Sequence, residues 1–181
     1  MGHIHEVSVR EATAQDREAI AELMLEAYSQ YAAVMPELSW KEYSSSIRES
    51  AYGDRPKARI IAEIDGQIVG SVQLFLSSEA AYGKPELGIE SPIIRLLAVS
   101  PNARGRGIAT LLIQESIRRS LELGASTLNL HTSDMMASAI QLYEKLGFQR
   151  AYETDIDNGD HLVKGFRLDL DQLQFRQNAV S

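Results

Sequence analysis

The sequence predicts one mixed α/β domain, with about six or seven strands in a mostly antiparallel sheet and about four helices. Three observations carry that prediction. Strand-like and helix-like periods alternate along the chain, from Val7 to Leu168. Asp65-Gly66 stands between two apolar runs, a strong short-range signal for a two-residue hairpin turn. A nearly all-apolar run, Ile93 to Val99, leads through a glycine-bearing loop into a helix-like stretch.

Taken in order, Val7 to Arg10 alternates apolar and polar residues, as a short strand does. Thr13-Ala14-Gln15-Asp16 reads as a capping box opening a helix. Ile20, Leu23, Met24, Ala27, Tyr28 and Tyr31 then recur at helical spacing until Pro36 breaks the pattern. Leu38 to Ser50 reads as a second helix capped near Ser39. Arg59 to Ile64 and Gln67 to Phe75 are the arms of the Asp65-Gly66 hairpin. Ser77 to Glu90, with Gly83, Pro85 and Gly88 and no clean period, is expected to be a long loop. Ile93 to Val99 is expected to be a strand buried on both faces. Ala109 to Leu123 is a helix with Leu112, Ile113, Ile117 and Leu121 facing inward, ending near Gly124. Thr127 to His131 is another strand. Ala139, Leu142, Tyr143 and Leu146 mark one face of a further helix, which Gly147 closes in the left-handed conformation while Phe148 packs back. The last two strands, about Arg150 to Asp155 and Leu162 to Leu168, flank an Asn158-Gly159 turn. Asn178 to Ser181 reads as a loose tail.

Composition narrows the function classes. At 181 residues the chain is long enough to bury a sizeable core, and 44% hydrophobic with 24% charged residues is an ordinary globular balance. The absence of cysteine excludes disulfides, thiolate catalysis and cysteine zinc sites. No run of about 18 apolar residues is present to span a membrane. The segment from Met1 to Glu6 lacks an apolar signal region, and Glu6 stands where a myristoylation motif needs Ser or Thr. A soluble, cytoplasmic protein is the expectation. The net charge of −7 argues against nucleic acid as a partner.

The most informative run is Ser100 to Thr110, between the Ile93 strand and the Ala109 helix. Gly105 and Gly107 let backbone approach a ligand closely and adopt positive φ. The free N–H groups and dipole of the helix favour an anion at that place, and Arg104 and Arg106 add full charge. The loop lacks the lysine of a nucleotide-hydrolase P-loop and the third glycine of a dinucleotide fingerprint. Arg104-Gly105-Arg106-Gly107-Ile108-Ala109 resembles instead the Arg/Gln-x-x-Gly-x-Gly/Ala pyrophosphate loop of the GNAT superfamily, the acyl-CoA-dependent N-acyltransferases. The run from Ala139 to Phe148 is similar to that superfamily's Ala-x-x-Leu-Tyr-x-x-x-Gly-Phe signature.

The resemblance implies the GNAT-like acyl-CoA N-acyltransferase fold, in which the fourth and fifth strands splay to admit a pantetheine arm. It implies direct transfer of an acetyl group from acetyl-CoA to an amine acceptor, with no acyl-enzyme and no metal. Backbone N–H groups of Arg104, Gly105, Arg106, Gly107, Ile108, Ala109 and Thr110 would bind pyrophosphate, with arginine side chains adding charge-assisted bonds. Leu97, Ala98 and Val99 would pair with the pantetheine arm, and a strand N–H there would polarise the thioester carbonyl. Tyr143 would contact the CoA sulfur and protonate the leaving thiolate. Tyr28, Tyr31, Trp40 and Tyr43 fall in the segment that shapes the acceptor pocket. Glu90 is the candidate general base, with His131 second, and a water chain that needs no named residue stands level with either. Met136 occupies the place where the superfamily commonly has an Asn on the CoA arm, so Ser133, Asp134 or Ser138 would replace that contact. Glu153, Asp155, Asp157 and Asp160 lack a calcium loop's sixth-position glycine and closing glutamate, and read as a solvated hairpin tip. The runner-up reading is a non-catalytic acyl-CoA-binding or sensing module. Homodimers are common in the superfamily, and the acceptor stays open.

Overall fold

The computed structural model describes residues 6–35, 37–157, 159 and 162–173. The chain forms two compact units, one of Met1–Leu74 with Leu96–Ser116 and one of Phe75–Arg95 with Ile117–Ser181.

In the first unit, β1 (Ser8–Glu11), β2 (Ala58–Ile64) and β3 (Gln67–Phe75) form an antiparallel ribbon, with Val9 opposite Ala62 and Ile60 opposite Val72. Asp65 and Gly66 take φ of 52° and 78°, so both central residues of the hairpin turn lie in the left-handed region. Helix α1 (Arg17–Tyr28) is preceded by a 3-10 turn, Ala14–Asp16. The predicted capping box is present: the Thr13 N–H donates to the Asp16 carboxylate at 2.7 Å. Ile20, Leu23, Met24, Ala27 and Tyr28 are its buried stripe, whereas Tyr31 falls in a following 3-10 turn, Ser29–Val34. Helix α2 spans Glu37–Ser50.

The end of β4 (Ile93–Val99) and the start of a long helix complete this unit; the helix is numbered α4 and spans Ile108–Glu122. β3 and β4 are neighbours, and the Ser100 N–H extends their pairing to Val69 O at 2.8 Å. A Cβ at Gly70 would lie 2.8 Å from Ile108 Cγ2 and 3.0 Å from Leu112 Cδ1, so glycine lets the strand meet the helix. The helix's inward stripe departs from expectation. Leu112 and Ile113 are buried as predicted, but Ser116 and Ser120 are buried while Ile117 and Leu121 are half-exposed. Ser116 tolerates burial because its hydroxyl donates to Leu112 O at 2.9 Å.

In the second unit, β4 pairs in parallel with β5 (Thr127–Thr132) at one register position, Ile93 with Asn129. β5 runs antiparallel to β8 (Leu162–Asp169) from Thr127↔Asp169 to Thr132↔Lys164. β8 also pairs with β6 (Gln149–Arg150) and with β7 (Ile156–Asp157), both antiparallel. Helix α5 covers Ala137–Lys145. Leu128, Leu130, Phe148, Phe166 and Leu168 are buried here.

Two further expectations need correction. The Ser77–Glu90 stretch is not an irregular loop: it contains α3 (Ser78–Tyr82) and a 3-10 turn, Pro85–Leu87. Ser77 caps α3 by accepting from Ala80 N, and Gly83 and Gly88 close the two turns at φ of 66° and 67°. The strand predicted over 150–155 stops at Arg150, because a 3-10 turn, Tyr152–Thr154, follows. Thr154 Oγ1 donates to Ala151 O at 2.7 Å and Arg150 binds Asp155 in bidentate fashion, which curls the backbone off the strand path. Asn158 and Asp160 of the predicted turn, Pro36, the first five residues and the predicted tail at 178–181 lie outside the described residues. Among the described residues no helix is long and apolar enough to cross a membrane.

Candidate active site

Ser100 to Thr110 forms a tight, exposed turn. Pro101–Ala103 is one turn of 3-10 helix, anchored by Ala103 N–H to Ser100 O at 2.9 Å and by the buried Ala103 methyl. Gly105 and Gly107 then take φ of 83° and 75°, with no atom within 4 Å of where either Cβ would stand. In α4 the Leu111 N–H bonds Gly107 O at 3.1 Å, so the N–H groups of Ile108, Ala109 and Thr110 precede the first intrahelical bond. Unobstructed backbone donors, a helix dipole and two positive-φ glycines form a surface that fits a phosphate group.

The two arginines of the loop differ. The Arg104 guanidinium turns toward the end of α1, donating to Gln30 Oε1 at 3.0 Å and Ala27 O at 3.3 Å. It ties the loop down, which leaves the exposed Arg106 side chain as the loop's other positive charge.

Leu97, Ala98 and Val99 follow a local irregularity that sequence reasoning missed. Leu96 takes φ of 56° inside a strand, a rare and costly conformation for leucine. Ala98 is buried, while Leu96, Leu97 and Val99 are half-exposed, so the strand is not covered on both faces there. Tyr28 donates its hydroxyl to Leu97 O at 2.9 Å. Its ring lies 5.9 Å from Tyr31 and 6.2 Å from Tyr43, and Trp40 is 6.2 Å from Tyr43. These four aromatics therefore form one connected row.

Glu90 and Tyr143 belong to the second unit, and the loop and Leu97 to Val99 belong to the first. Tyr143 is 7% exposed, with its ring 5.8 Å from Phe148. Gly147 at φ of 104° ends α5 as expected, and Phe148 N–H returns to Tyr143 O at 3.0 Å. Glu90 is exposed on the segment before β4, and no hydrogen bond or ion pair holds its carboxylate among the described residues. Met136 receives the Thr132 hydroxyl on its sulfur at 3.4 Å, and Asp134 pairs with Lys164 at 2.6 Å.

His131 is not alone. Its Nδ1 lies 2.9 Å from Tyr82 Oη, and its Nε2 lies 2.7 Å from Thr154 O. The Arg95 guanidinium sits 4.8 Å from the centre of the Tyr82 ring and donates to Ala81 O at 2.6 Å. Burial pulls the His131 imidazole below its usual range, against opposing pulls from the Thr154 carbonyl and Asp155. Burial pushes the Tyr82 hydroxyl well above the usual tyrosine value, and the nearby Tyr143 pushes the same way. Arg150 holds Asp155 below the usual carboxylate range. Nothing in the sequence marked Tyr82 as a partner of His131, because the segment carrying it has no period. No group of three or more His, Asp or Glu side chains suited to a metal occurs among the described residues.

Known proteins resemble this chain in sequence or in fold. A model of the acetyltransferase (GNAT) family matches residues 17–148. N-acetyltransferase 8B of Rattus norvegicus is 32% identical over 119 residues, 61% of this chain and 51% of that protein. Mycothiol acetyltransferase of Cellulomonas flavigena is 33% identical over 105 residues, 57% of this chain and 30% of that protein. The chain spans about half the length of the rodent relatives it matches. PaiA N-acetyltransferase from Thermoplasma acidophilum, solved in complex with coenzyme A, shares the fold with a TM-score of 0.70 at 17% identity, over 91% of this chain and 99% of that one. An acetyltransferase of the GNAT family from Staphylococcus aureus gives 0.66 at 16% identity, over 91% and 99%. With the family model covering most of its length, this chain belongs to the acetyltransferase (GNAT) family.

Proposed function

We propose that this chain is a single N-acetyltransferase domain. It moves an acetyl group from acetyl-CoA to a primary amine of a small molecule or peptide, by direct attack through a tetrahedral intermediate. The observation that carries this reading is the turn at Gly105 and Gly107, whose open backbone runs straight into the N-terminus of α4. Backbone from Arg104 to Thr110 binds pyrophosphate, Arg106 adds charge, and Arg104 braces the turn. Backbone of Leu97 to Val99 pairs with the pantetheine arm, and a strand N–H beyond the Leu96 kink polarises the thioester carbonyl. Tyr143 gives its proton to the departing sulfur. Exposed Glu90 takes the first proton from the incoming ammonium and passes it to solvent. The reading places the protein in the cytoplasm, with no nucleic-acid or membrane partner, and leaves its assembly open.

The test is a thermal-shift titration with acetyl-CoA, CoA and ATP, followed by thiol release from acetyl-CoA with a panel of amines. Stabilisation by both CoA ligands but not by ATP, together with amine-dependent thiol release, is the expected result. Stabilisation with no release from a broad panel would favour a non-catalytic acyl-CoA sensor, and no stabilisation would remove the reading.

A further inference from the structure

Acetyl transfer to an ammonium group must dispose of more protons than Tyr143 and Glu90 account for. The amine loses one proton before it attacks. After attack its nitrogen is positively charged and must lose a second, while the sulfur must gain one. On the reading above, Glu90 serves the first and Tyr143 the third. The second has no assigned acceptor.

The Tyr82–His131 pair has the geometry of such an acceptor. Thr154 O carries no proton, so His131 Nε2, 2.7 Å away, bears a hydrogen in every protonation state. The remaining lone pair of neutral His131 is therefore on Nδ1, and it is filled by the Tyr82 O–H at 2.9 Å. A proton reaching His131 has to enter through Tyr82. The backbone carbonyl fixes the tautomer, as an orienting acceptor does for other catalytic imidazoles. Thr154 is itself fixed, 4% exposed and hydrogen-bonded to Ala151 O.

Charges around the pair suit a base that stays neutral until used. Arg95, from β4, stacks on the Tyr82 ring and opposes a positive imidazolium. Asp155, at the end of the 3-10 turn, favours it, although its own charge is shared with Arg150. Gly165 of β8, the residue opposite His131, brings no charge. With burial the strongest influence, His131 is pulled below its usual value and is neutral at pH 7. Tyr143 is near enough to push the Tyr82 hydroxyl further up.

We propose that Tyr82 and His131 are the proton-accepting couple for the tetrahedral intermediate: Tyr82 Oη takes the proton of the charged nitrogen while its own proton passes to His131 Nδ1. The N–H bond breaks, a Tyr82 O–H bond forms, the former Tyr82 O–H breaks and His131 becomes imidazolium. Tyr143, having given its proton to sulfur, is then a phenolate. Return of the imidazolium proton through Tyr82 to Tyr143 restores all three residues. One proton leaves overall, by way of Glu90, which balances ammonium plus thioester against amide plus thiol. The inference rests on the acetyl-transfer reading and on Tyr143 as the proton donor.

The experiment compares wild type, Tyr82→Phe and His131→Gln with acetyl-CoA and an amine that the wild type acetylates. Absence of turnover in the wild type with every amine would sink the function reading, and the couple with it. With turnover established, both variants are expected to lower kcat about 100-fold, with KM for acetyl-CoA changed less than about twofold. At saturating amine, wild-type kcat is expected to fall on acidification below the usual histidine value of about 6.5, because imidazolium cannot accept. That limb is expected to disappear in His131→Gln. Tyr82→Phe keeps the ring against Arg95, so it decides the matter if His131→Gln folds poorly. Wild-type kcat in Tyr82→Phe, or an unchanged acidic limb in His131→Gln, overturns the couple while leaving the acetyltransferase reading standing.

Discussion

Gly107 has nothing within 4 Å of where a side chain would begin, yet its φ of 75° reserves the position for glycine. Space and conformation are separate constraints there, and a substitution meets both the strain and whatever ligand the open space admits. Gly107→Glu is expected to abolish stabilisation by acetyl-CoA, since a carboxylate would stand among donors suited to a phosphate. Thermal-shift titration of the folded variant checks this, and an unaltered shift would refute the loop assignment. Tyr143→Phe is expected to behave differently. The ring stays against Phe148 and only the hydroxyl goes, so acetyl-CoA affinity should hold while kcat falls about 100-fold, the usual scale for a general acid. Equal kcat at saturating substrates would end the proton-donor role. Both residues were legible in the sequence, because glycine next to arginine before a helix, and tyrosine at a helical spacing before Gly-Phe, each leave a pattern. Leu96 left none: a leucine at φ of 56° is imposed by its surroundings, and nothing in its own identity announces it.

At the scale of elements, three glycines separate packing from backbone effects. Gly70→Ala pushes a methyl against Ile108, whose branched Cγ2 cannot swing clear, and is expected to cost about 2 kcal/mol. Gly165→Ala drives a methyl into Thr154 Oγ1 and to 2.9 Å from the Ala151 carbonyl, both held by the 3-10 turn, and is expected to cost about 3 kcal/mol or more. Gly53→Ala meets nothing within 4 Å and takes no positive φ, so it should change stability by less than about 0.5 kcal/mol. Urea unfolding of the three variants checks the order; a costly Gly53→Ala or a silent Gly165→Ala would contradict it. The elements themselves were mostly readable, and the exceptions have a common cause. α3 has five residues and the Tyr152–Thr154 turn three, too short to show a helical period. What fixes them is the Ser77 cap in one case and the Arg150–Asp155 pair packed against Gly165 in the other. The second set joins residues 5, 10 and 15 positions apart with no common period, so no periodic pattern announced it. A true separation in sequence hid the link between Tyr82 and His131, 49 residues apart.

For the whole molecule, the pH dependence of stability follows from a few groups, each with a definite sign. Asp16 sits in the capping turn, bonded to Arg10 at 2.8 Å, and the Arg10 and Thr13 hydrogen bonds pull its pKa down to about 2. Arg10 also binds Glu63. In the other unit, Arg150 holds Asp155 low by a bidentate pair. An unfolded chain protonates such carboxylates near pH 4, whereas the folded chain resists until lower pH. Between those values the unfolded state binds more protons, so stability present above about pH 4 is lost as the pH falls toward 2. His131 acts in the same direction at milder pH. Its folded pKa is depressed, so below about 6.5 the unfolded chain gains a proton that the folded chain refuses, and stability declines. The urea midpoint is therefore expected to show two losses on acidification, a first below about pH 6.5 and a larger one between about 4 and 2. His131→Gln should remove the first and leave the second. Asp16→Asn should start from lower stability at pH 7 and flatten the second, because its partner no longer distinguishes the two states. An acid slope in Asp16→Asn as steep as in wild type would mean that repulsion among the 18 Lys and Arg residues, no longer offset by ionised carboxylates, unfolds the chain before the capping turn is protonated.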